Sequence, residues 1–263
     1  MDIKIYQVDA FTDTPFQGNP AAVCILQEPA EENWMAQVAK EMNLSETAFL
    51  FKMDDGYSLR WFTPAVEVEL CGHATLASAH ILYETGLLKP SQEAKFFTAS
   101  GLLTASKIAD EIELNFPATP PEEVAAPPGL LESLGVTAEY LGKSRFDYLV
   151  RVGSENDVLE TNPDFKGLKS LEVRGVMVTS TSQSGEYDFV SRFFAPVVGV
   201  DEDPVTGSAH CTLGPYWSEI LGKDEMVAYQ ASARGGIIRV RVSSEQVYLI
   251  GRAVTIFQGE LLV

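Results

Sequence analysis

The chain has 263 residues, of which 46% are hydrophobic and 21% are charged, as in ordinary globular proteins. This length fits one large domain or two of ordinary size. Its 19 basic and 37 acidic residues give a net charge of −18, which repels nucleic-acid phosphates and anionic lipids. The composition therefore argues against nucleic acid or a membrane as a partner.

The amino-terminal sequence and the cysteines indicate the compartment. The chain starts MDIKIYQVDAF, without the pattern of a signal peptide, and no run of 18 apolar residues follows. Cys24, Cys71 and Cys211 are odd in number, widely spaced and outside any CxxC motif. These features predict a cytoplasmic protein without disulfides.

Helical and strand periods alternate along the first half of the chain. Glu31–Met42 has acidic residues in its first turn and apolar residues at helical spacing, which predicts a helix. A second helix, His73–Glu84, is nearly all apolar or small, so we expect its own sheet to bury it on every side. Alternating apolar residues predict strands at Tyr57–Phe62, Phe96–Ser106 and Ile112–Phe116.

The second half of the chain repeats this order. RWFTPAVEV at Arg60–Val68 matches RFFAPVVGV at Arg192–Val200, and the matches continue in register from Gly72 and Gly207. The offset is 132 in the first stretch and, after three inserted residues in the second copy, stays at 135 from Gly72 and Gly207 onward, which indicates a duplicated unit. The predicted counterparts are a strand at Tyr187–Phe194, a helix at Ser208–Leu221, and strands at Ile237–Val242 and Val247–Ile250.

A proline-rich segment separates the two copies. Pro117–Gly129 contains five of the chain's 14 prolines, which disfavour helix interiors and central strands, so we predict a linker there. The expected domains are residues 1–117 and 130–253, with a last strand near 254–263 that packs back onto the first. The sequence thus predicts an α+β fold of two similar halves, with a ligand cleft where they meet.

Two predicted helix N-termini are candidate anion sites. Gly72 and Gly207 each precede a helical stretch, whose first N–H groups are free and carry about half a unit of positive charge. Such ends can bind a carboxylate or phosphate without Lys or Arg, although a glycine there can also serve only to form the turn. His73 and His80 are seven residues apart and have no paired acidic ligand, so no metal site is predicted.

Two acidic residues stand out as candidate acid/base groups. Glu46 enters an apolar, strand-like run in NLSETAFLF, and a carboxylate there suits proton transfer. Asp203, in DEDPVTGSAH, lies shortly before the second helix. Either residue can instead serve as a capping group.

Together these segments resemble the phenazine-biosynthesis-like (PhzF-type) family. The resemblance runs along the whole chain through MDIKIYQVDAFTDTPFQGNPAAVCIL, NLSETAFLF, RWFTPAVEVELCGHATLASAH, DEDPVTGSAHCTLGPYW and QASARGG. It implies the diaminopimelate epimerase-like fold, in which two pseudo-symmetric domains each wrap a curved, mostly antiparallel sheet around a central helix. It also implies a homodimer without metal or organic cofactor.

The resemblance further implies roles for individual residues. The family's best understood member isomerises trans-2,3-dihydro-3-hydroxyanthranilate with a glutamate that matches Glu46. Positioning roles carry over to the residues His73, Asp203 and Ser208. Substrate contacts carry over to Gly72, Gly207 and Asn19.

The cysteines depart from the pattern of the related epimerases, which use two thiols. Cys71 stands at the place of the first thiol, but Pro204 stands at the place of the second, while Cys211 reads as a small buried residue. Two-thiol racemisation is therefore not expected.

We accordingly predict a cofactor-independent isomerase that shuttles a proton within a small carboxylate substrate. One alternative is a two-base epimerase or racemase of an amino or hydroxy acid, in which Asp203 pairs with Glu46 or Cys71. Another is a non-catalytic protein that binds an anionic metabolite.

Overall fold

The structure, a computed structural model, describes residues 3–262 and divides into two compact units. The first unit comprises Met1–Phe116 and Leu249–Val263, and the second comprises Pro117–Tyr248. Among the described residues, no helix is both long and apolar enough to span a membrane.

Strands greatly outnumber long helices. The first part of the chain forms β1 (Ile3–Ala10), β2 (Asn19–Leu26), α1 (Glu32–Met42), β3 (Glu46–Met53), β4 (Gly56–Phe62), β5 (Glu67–Val68), α2 (Gly72–Glu84), β6 (Ala94–Thr98), β7 (Gly101–Ile108) and β8 (Glu111–Pro117). The remainder forms β9 (Glu122–Glu123), α3 (Leu130–Leu134), β10 (Tyr140–Lys143), β11 (Asp147–Arg151), α4 (Glu155–Glu160), α5 (Phe165–Leu168), β12 (Gly175–Thr181), β13 (Phe189–Ala195), a 3-10 turn (Pro196–Val198), β14 (Val200–Asp203), α6 (Gly207–Leu221), β15 (Glu225–Gln230), β16 (Gly236–Ser243), β17 (Gln246–Gly251) and β18 (Ala253–Leu261).

The two units pair their strands in the same order. In the first unit β1 is antiparallel to β2 and β18, and β2 is parallel to β3. Strand β3 is antiparallel to β4, β4 is parallel to β6, and β6 is antiparallel to β7. In the second unit β10 is antiparallel to β11, β11 is parallel to β12, β12 is antiparallel to β13, β13 is parallel to β15, and β15 is antiparallel to β16. The duplication therefore includes strands in which the sequence shows no repeat.

A buried helix lies at the centre of each unit. Helix α2 is buried along almost its whole length and packs against β1, β2, β3, β7 and β18, as its apolar sequence predicts. Helix α6 packs against β11, β15 and β16 and contains Pro215. A Cβ atom on Gly214 would lie 2.8 Å from Val240 Cγ1, so glycine lets strand β16 approach the helix closely.

The proline-rich segment is more ordered than a linker. Ala118 N–H donates to the Glu245 carbonyl, Thr119 N–H donates to the Cys211 carbonyl, and β9 pairs with β10. The prolines lack N–H groups, but the residues between them still donate hydrogen bonds to neighbouring backbone. The segment is therefore part of the second unit.

His210 is a buried, neutral imidazole inside α6. Its side chain is fully buried, and Nδ1 lies 2.8 Å from the Thr206 carbonyl. Because a carbonyl oxygen only accepts hydrogen bonds, Nδ1 carries the hydrogen. Burial lowers the pKa of His210 to about 4.

This burial predicts a pH-dependent stability. The unfolded chain protonates His210 near pH 6.5, whereas the folded chain resists protonation until about pH 4. Burial of the neutral His210 ring therefore costs no protonation energy above pH 6.5. As the pH falls below that value, the unfolded chain gains a proton that the folded chain does not bind, and the free energy of unfolding decreases. Between about pH 7.5 and about pH 5 we expect a loss of about 2 kcal/mol in the free energy of unfolding. Urea unfolding of the wild type and of His210→Gln at both pH values measures this loss. The same pH dependence in both proteins would contradict the attribution of the loss to His210.

Candidate active site

The first unit gathers several of the candidate residues at the first turn of α2. Asn19 begins β2, and Glu46 begins β3, where it pairs with Ala21 of β2. Cys71 immediately precedes α2, and His73 is the second residue of that helix. Parallel pairing of β2 with β3 therefore brings the starts of both strands to one end of the buried helix.

The imidazole of His73 is held between donors on one side and a carboxylate on the other. Its Nδ1 lies 3.1 Å from Asn19 Nδ2 and 3.6 Å from Cys71 Sγ, while Nε2 lies 3.1 Å from Glu46 Oε2. An amide nitrogen only donates, so Nδ1 accepts and Nε2 carries the hydrogen that faces Glu46. The amide of Asn19, for which the resemblance implied a substrate contact, thus orients the ring.

His73 and Glu46 form a short, buried polar contact, with Nε2 and Oε2 3.1 Å apart. Both atoms are buried from solvent, and neither has another hydrogen-bond partner among residues 3–262. Buried polar atoms in folded proteins are nearly always hydrogen-bonded. The arrangement therefore suits the binding of a third group against this pair.

The charged neighbour of His73 shifts the pKa of its ring upward. Burial acts to lower the pKa of His73, but the neighbouring Cys71 and Glu46 raise it well above its ordinary value. Burial also raises the pKa of Cys71, so its thiol keeps the proton near neutral pH and acts as a donor. We hold Glu46 responsible for the upward direction at His73, since it is the charged neighbour.

The same residues have the composition of a possible metal site. Ligand atoms of Glu46, Cys71 and His73 all lie within 4.8 Å of one another. However, the ring presents Nδ1 to the thiol and Nε2 to the carboxylate, and a thiol with a raised pKa is a poor ligand. The donor set fits proton transfer better than metal coordination.

The second unit gathers other candidates near the first turn of α6. Asp203 Oδ2 accepts a hydrogen bond from Thr206 Oγ1 at 2.5 Å. The buried amide of Gln230 donates to the Asp203 carbonyl at 2.7 Å and accepts from Thr206 N–H at 2.8 Å. This network fixes the loop that leads into Gly207, the first residue of α6.

Arg174 lies beside this helix end, although no sequence motif indicates it. Its Nη2 donates to Ser208 Oγ at 3.1 Å, and its Nε donates to Asp147 Oδ1 at 2.9 Å. Arg174 lies 34 residues before Ser208 in no recognisable motif, and only the fold brings them into contact.

The described structure therefore places the candidates in two groups. Asn19, Glu46, Cys71, Gly72 and His73 are together in the first unit. The remaining candidates, near α6 in the second unit, are Asp203, Gly207 and Ser208.

Comparison with known proteins shows which family the chain is related to. The family model described as "Phenazine biosynthesis-like protein" matches residues 8–259. The chain belongs to this family. An uncharacterized isomerase of Halalkalibacterium halodurans is 55% identical over the full length of both chains.

Solved structures agree with this membership. A PhzF-family protein from Enterococcus faecalis has a TM-score of 0.95 and 40% identity, with full coverage of both chains. A probable proline racemase from Agrobacterium radiobacter has a TM-score of 0.66 at 14% identity, with 99% of this chain and 93% of that chain covered, which shows a shared fold. The resemblance, the epimerase-like α+β fold and the isomerase class predicted from the sequence are thereby confirmed.

The geometry predicts that Glu46 raises the pKa of His73. In Glu46→Gln the carboxylate is lost and burial dominates, so we expect the pKa of His73 to fall below its wild-type value. Ring signals of His73 followed by NMR against pH measure the change. Glu84→Gln is a matched control, because Glu84 Oε2 lies 3.5 Å from His80 Nε2 and should affect His80 instead. An unchanged midpoint for His73 in Glu46→Gln would contradict the prediction.

Proposed function

We propose that this isomerase moves a proton within a small carboxylate-bearing substrate, with Glu46 as the general acid/base. The observation that supports the proposal is the pair formed by Glu46 Oε2 and His73 Nε2. Both atoms are buried, lie 3.1 Å apart and have no other hydrogen-bond partner in the described chain. A base that must approach a substrate carbon requires a carboxylate with a lone pair left to accept the proton.

The proposed reaction needs only these groups to balance. Glu46 takes a proton from a substrate carbon, the C–H electron pair moves into the adjoining unsaturated system, and the carboxyl group returns the proton to another carbon. No electron leaves the substrate, so no redox cofactor is required. His73 Nε2–H stabilises the carboxylate of Glu46 while that group is charged. Once Glu46 has taken the substrate proton, its carboxyl group can donate that proton to the second carbon.

The duplicated fold supports a reaction with one base. Glu46 pairs with Ala21 across β2 and β3, and Gly175 pairs with Asp147 across the equivalent strands β11 and β12. Gly175 therefore stands where the first unit has Glu46. A Cβ atom there would lie 2.4 Å from the ring of Phe193, so the second unit has no space for an acid at that position.

Other residues complete the proposal on the strength of the family resemblance. Asp203 and Ser208 bind the substrate, and backbone N–H groups at Gly72 and Gly207 hold its carboxylate. Asp203 is also the second base that the epimerase alternative requires, and its carboxylate accepts from Thr206. The homodimer and the cytoplasmic location stay predictions, and sedimentation of the purified protein would test the dimer.

The test is proton exchange followed by NMR in heavy water. Wild-type protein is incubated with a panel of small cyclic and amino carboxylates, including trans-2,3-dihydro-3-hydroxyanthranilate. We expect loss of one C–H signal, and we expect Glu46→Gln to slow that exchange by ~10²–10⁴-fold. Glu67→Gln is the matched control, since Glu67 lies in the same unit but pairs with Arg60.

Each outcome separates the candidate functions. Exchange at full rate in Glu46→Gln would overturn the assignment of the base. Inversion of a stereocentre that also depends on Asp203 would favour the two-base epimerase. Saturable binding of a carboxylate without exchange in the wild type would favour the metabolite-binding protein.

A further inference from the structure

Arg174 is fixed by a buried carboxylate. It directly precedes β12, and Asp147, which begins β11, is 1% exposed. Arg174 Nε donates to Asp147 Oδ1 at 2.9 Å, and Nη2 donates to Oδ2, so the pair is bidentate. The guanidinium also lies over the rings of Phe146 and Phe193, at 5.2 Å and 5.7 Å from their centroids. These contacts leave it little freedom to rotate.

Arg174 stays charged in this environment. Burial acts to lower the pKa of Arg174, but hydrogen bonds and charge from Asp147 raise it above its already high value. A guanidinium holds its proton throughout the accessible pH range. A permanent cation therefore stands next to Ser208 in a protein whose net charge is −18.

The contact with Ser208 determines the direction of that hydroxyl. Arg174 Nη2 lies 3.1 Å from Ser208 Oγ, and a guanidinium has donors but no acceptor. Ser208 Oγ must accept from Arg174, which leaves its own hydrogen to be donated to another group. An O–H that is committed to donate matches an acceptor without hydrogens, such as a carboxylate oxygen.

We propose that Arg174, held by Asp147, is a positioning residue that commits the Ser208 hydroxyl to donate to the substrate's carboxylate. The inference rests on the proposed role of Ser208 in substrate binding. In this proposal the first turn of α6, positioned from the start of β12, binds the substrate. The equivalent start of β3 and first turn of α2 hold the proposed base. Arg174 acts through Ser208, so its effect must disappear when the hydroxyl is absent.

Arg192 provides a matched control for this proposal. Its Nε and Nη2 donate to the two carboxylate oxygens of Glu202 at 2.7 Å and 2.9 Å, and its guanidinium lies over the ring of Phe194 at 4.9 Å. Its Nη1 donates to the backbone carbonyls of Leu159 and Thr161, at 3.2 Å and 2.6 Å, rather than to a serine hydroxyl. Arg192→Gln thus removes a similar, partly buried pair from the same unit without altering Ser208.

The experiment is a double-mutant cycle on the binding of benzoate, read by NMR from the backbone amide signal of position 208 in each protein. We expect Arg174→Gln and Ser208→Ala each to weaken binding about tenfold, the loss of one hydrogen bond to a charged group. The double variant should be no more than about threefold weaker than either single variant, because the two residues form one unit. Arg174→Lys should recover part of the affinity, and Arg192→Gln should bind like the wild type.

Each result decides the inference separately from the proposed function. Additive losses in the double variant, or wild-type affinity in Arg174→Gln, would overturn the positioning role whatever Glu46 does. Failure of benzoate at about 100 mM to shift the Ser208 amide of the wild type would overturn it too, since such a concentration should load even a millimolar site. A coupled cycle together with full proton exchange in Glu46→Gln would keep this inference and reject Glu46 as the base.

Discussion

The structure of each unit depends on the burial of one helix, α2 or α6. The first turn of that helix lies beside residues at the start of two parallel strands. A buried helix end carries unpaired N–H groups and a partial positive charge, which require polar partners in a low-dielectric interior. In the first unit Asn19 and Glu46 surround His73, and in the second unit Asp147 and Arg174 adjoin Ser208. One packing solution thus creates two polar clusters from a duplicated fold.

The two clusters differ because their charges are balanced in different ways. In the first, the oxygen of Glu46 that faces His73 has no other hydrogen-bond partner in the described chain. In the second, the carboxylate of Asp147 is fully engaged by Arg174, so it serves only to hold a cation. An uncommitted carboxylate suits proton transfer, and a paired one suits an electrostatic role. Duplication followed by divergence has thus left the two units with differently paired carboxylates.

Much of the fold could be read from sequence patterns. The repeat was visible around the central helices because Gly72 and Gly207, with their apolar helices, are constrained on every side by packing. It was invisible in β2, β3, β11 and β12, where many different apolar side chains satisfy the same pairing. The hydrogen bonds of the proline-rich segment were also invisible, since its N–H groups find acceptors that are distant in sequence.

The sequence by itself determined the family, the duplicated α+β architecture and the residues around the first helix, because those features are carried by short motifs whose chemistry is local. Only the tertiary structure decided that Asn19 contacts the His73 ring and that Arg174 joins Asp147 to Ser208. These contacts join residues that lie far apart along the chain. The free energy of such a contact depends on burial and on the geometry of the partners, neither of which a sequence pattern records.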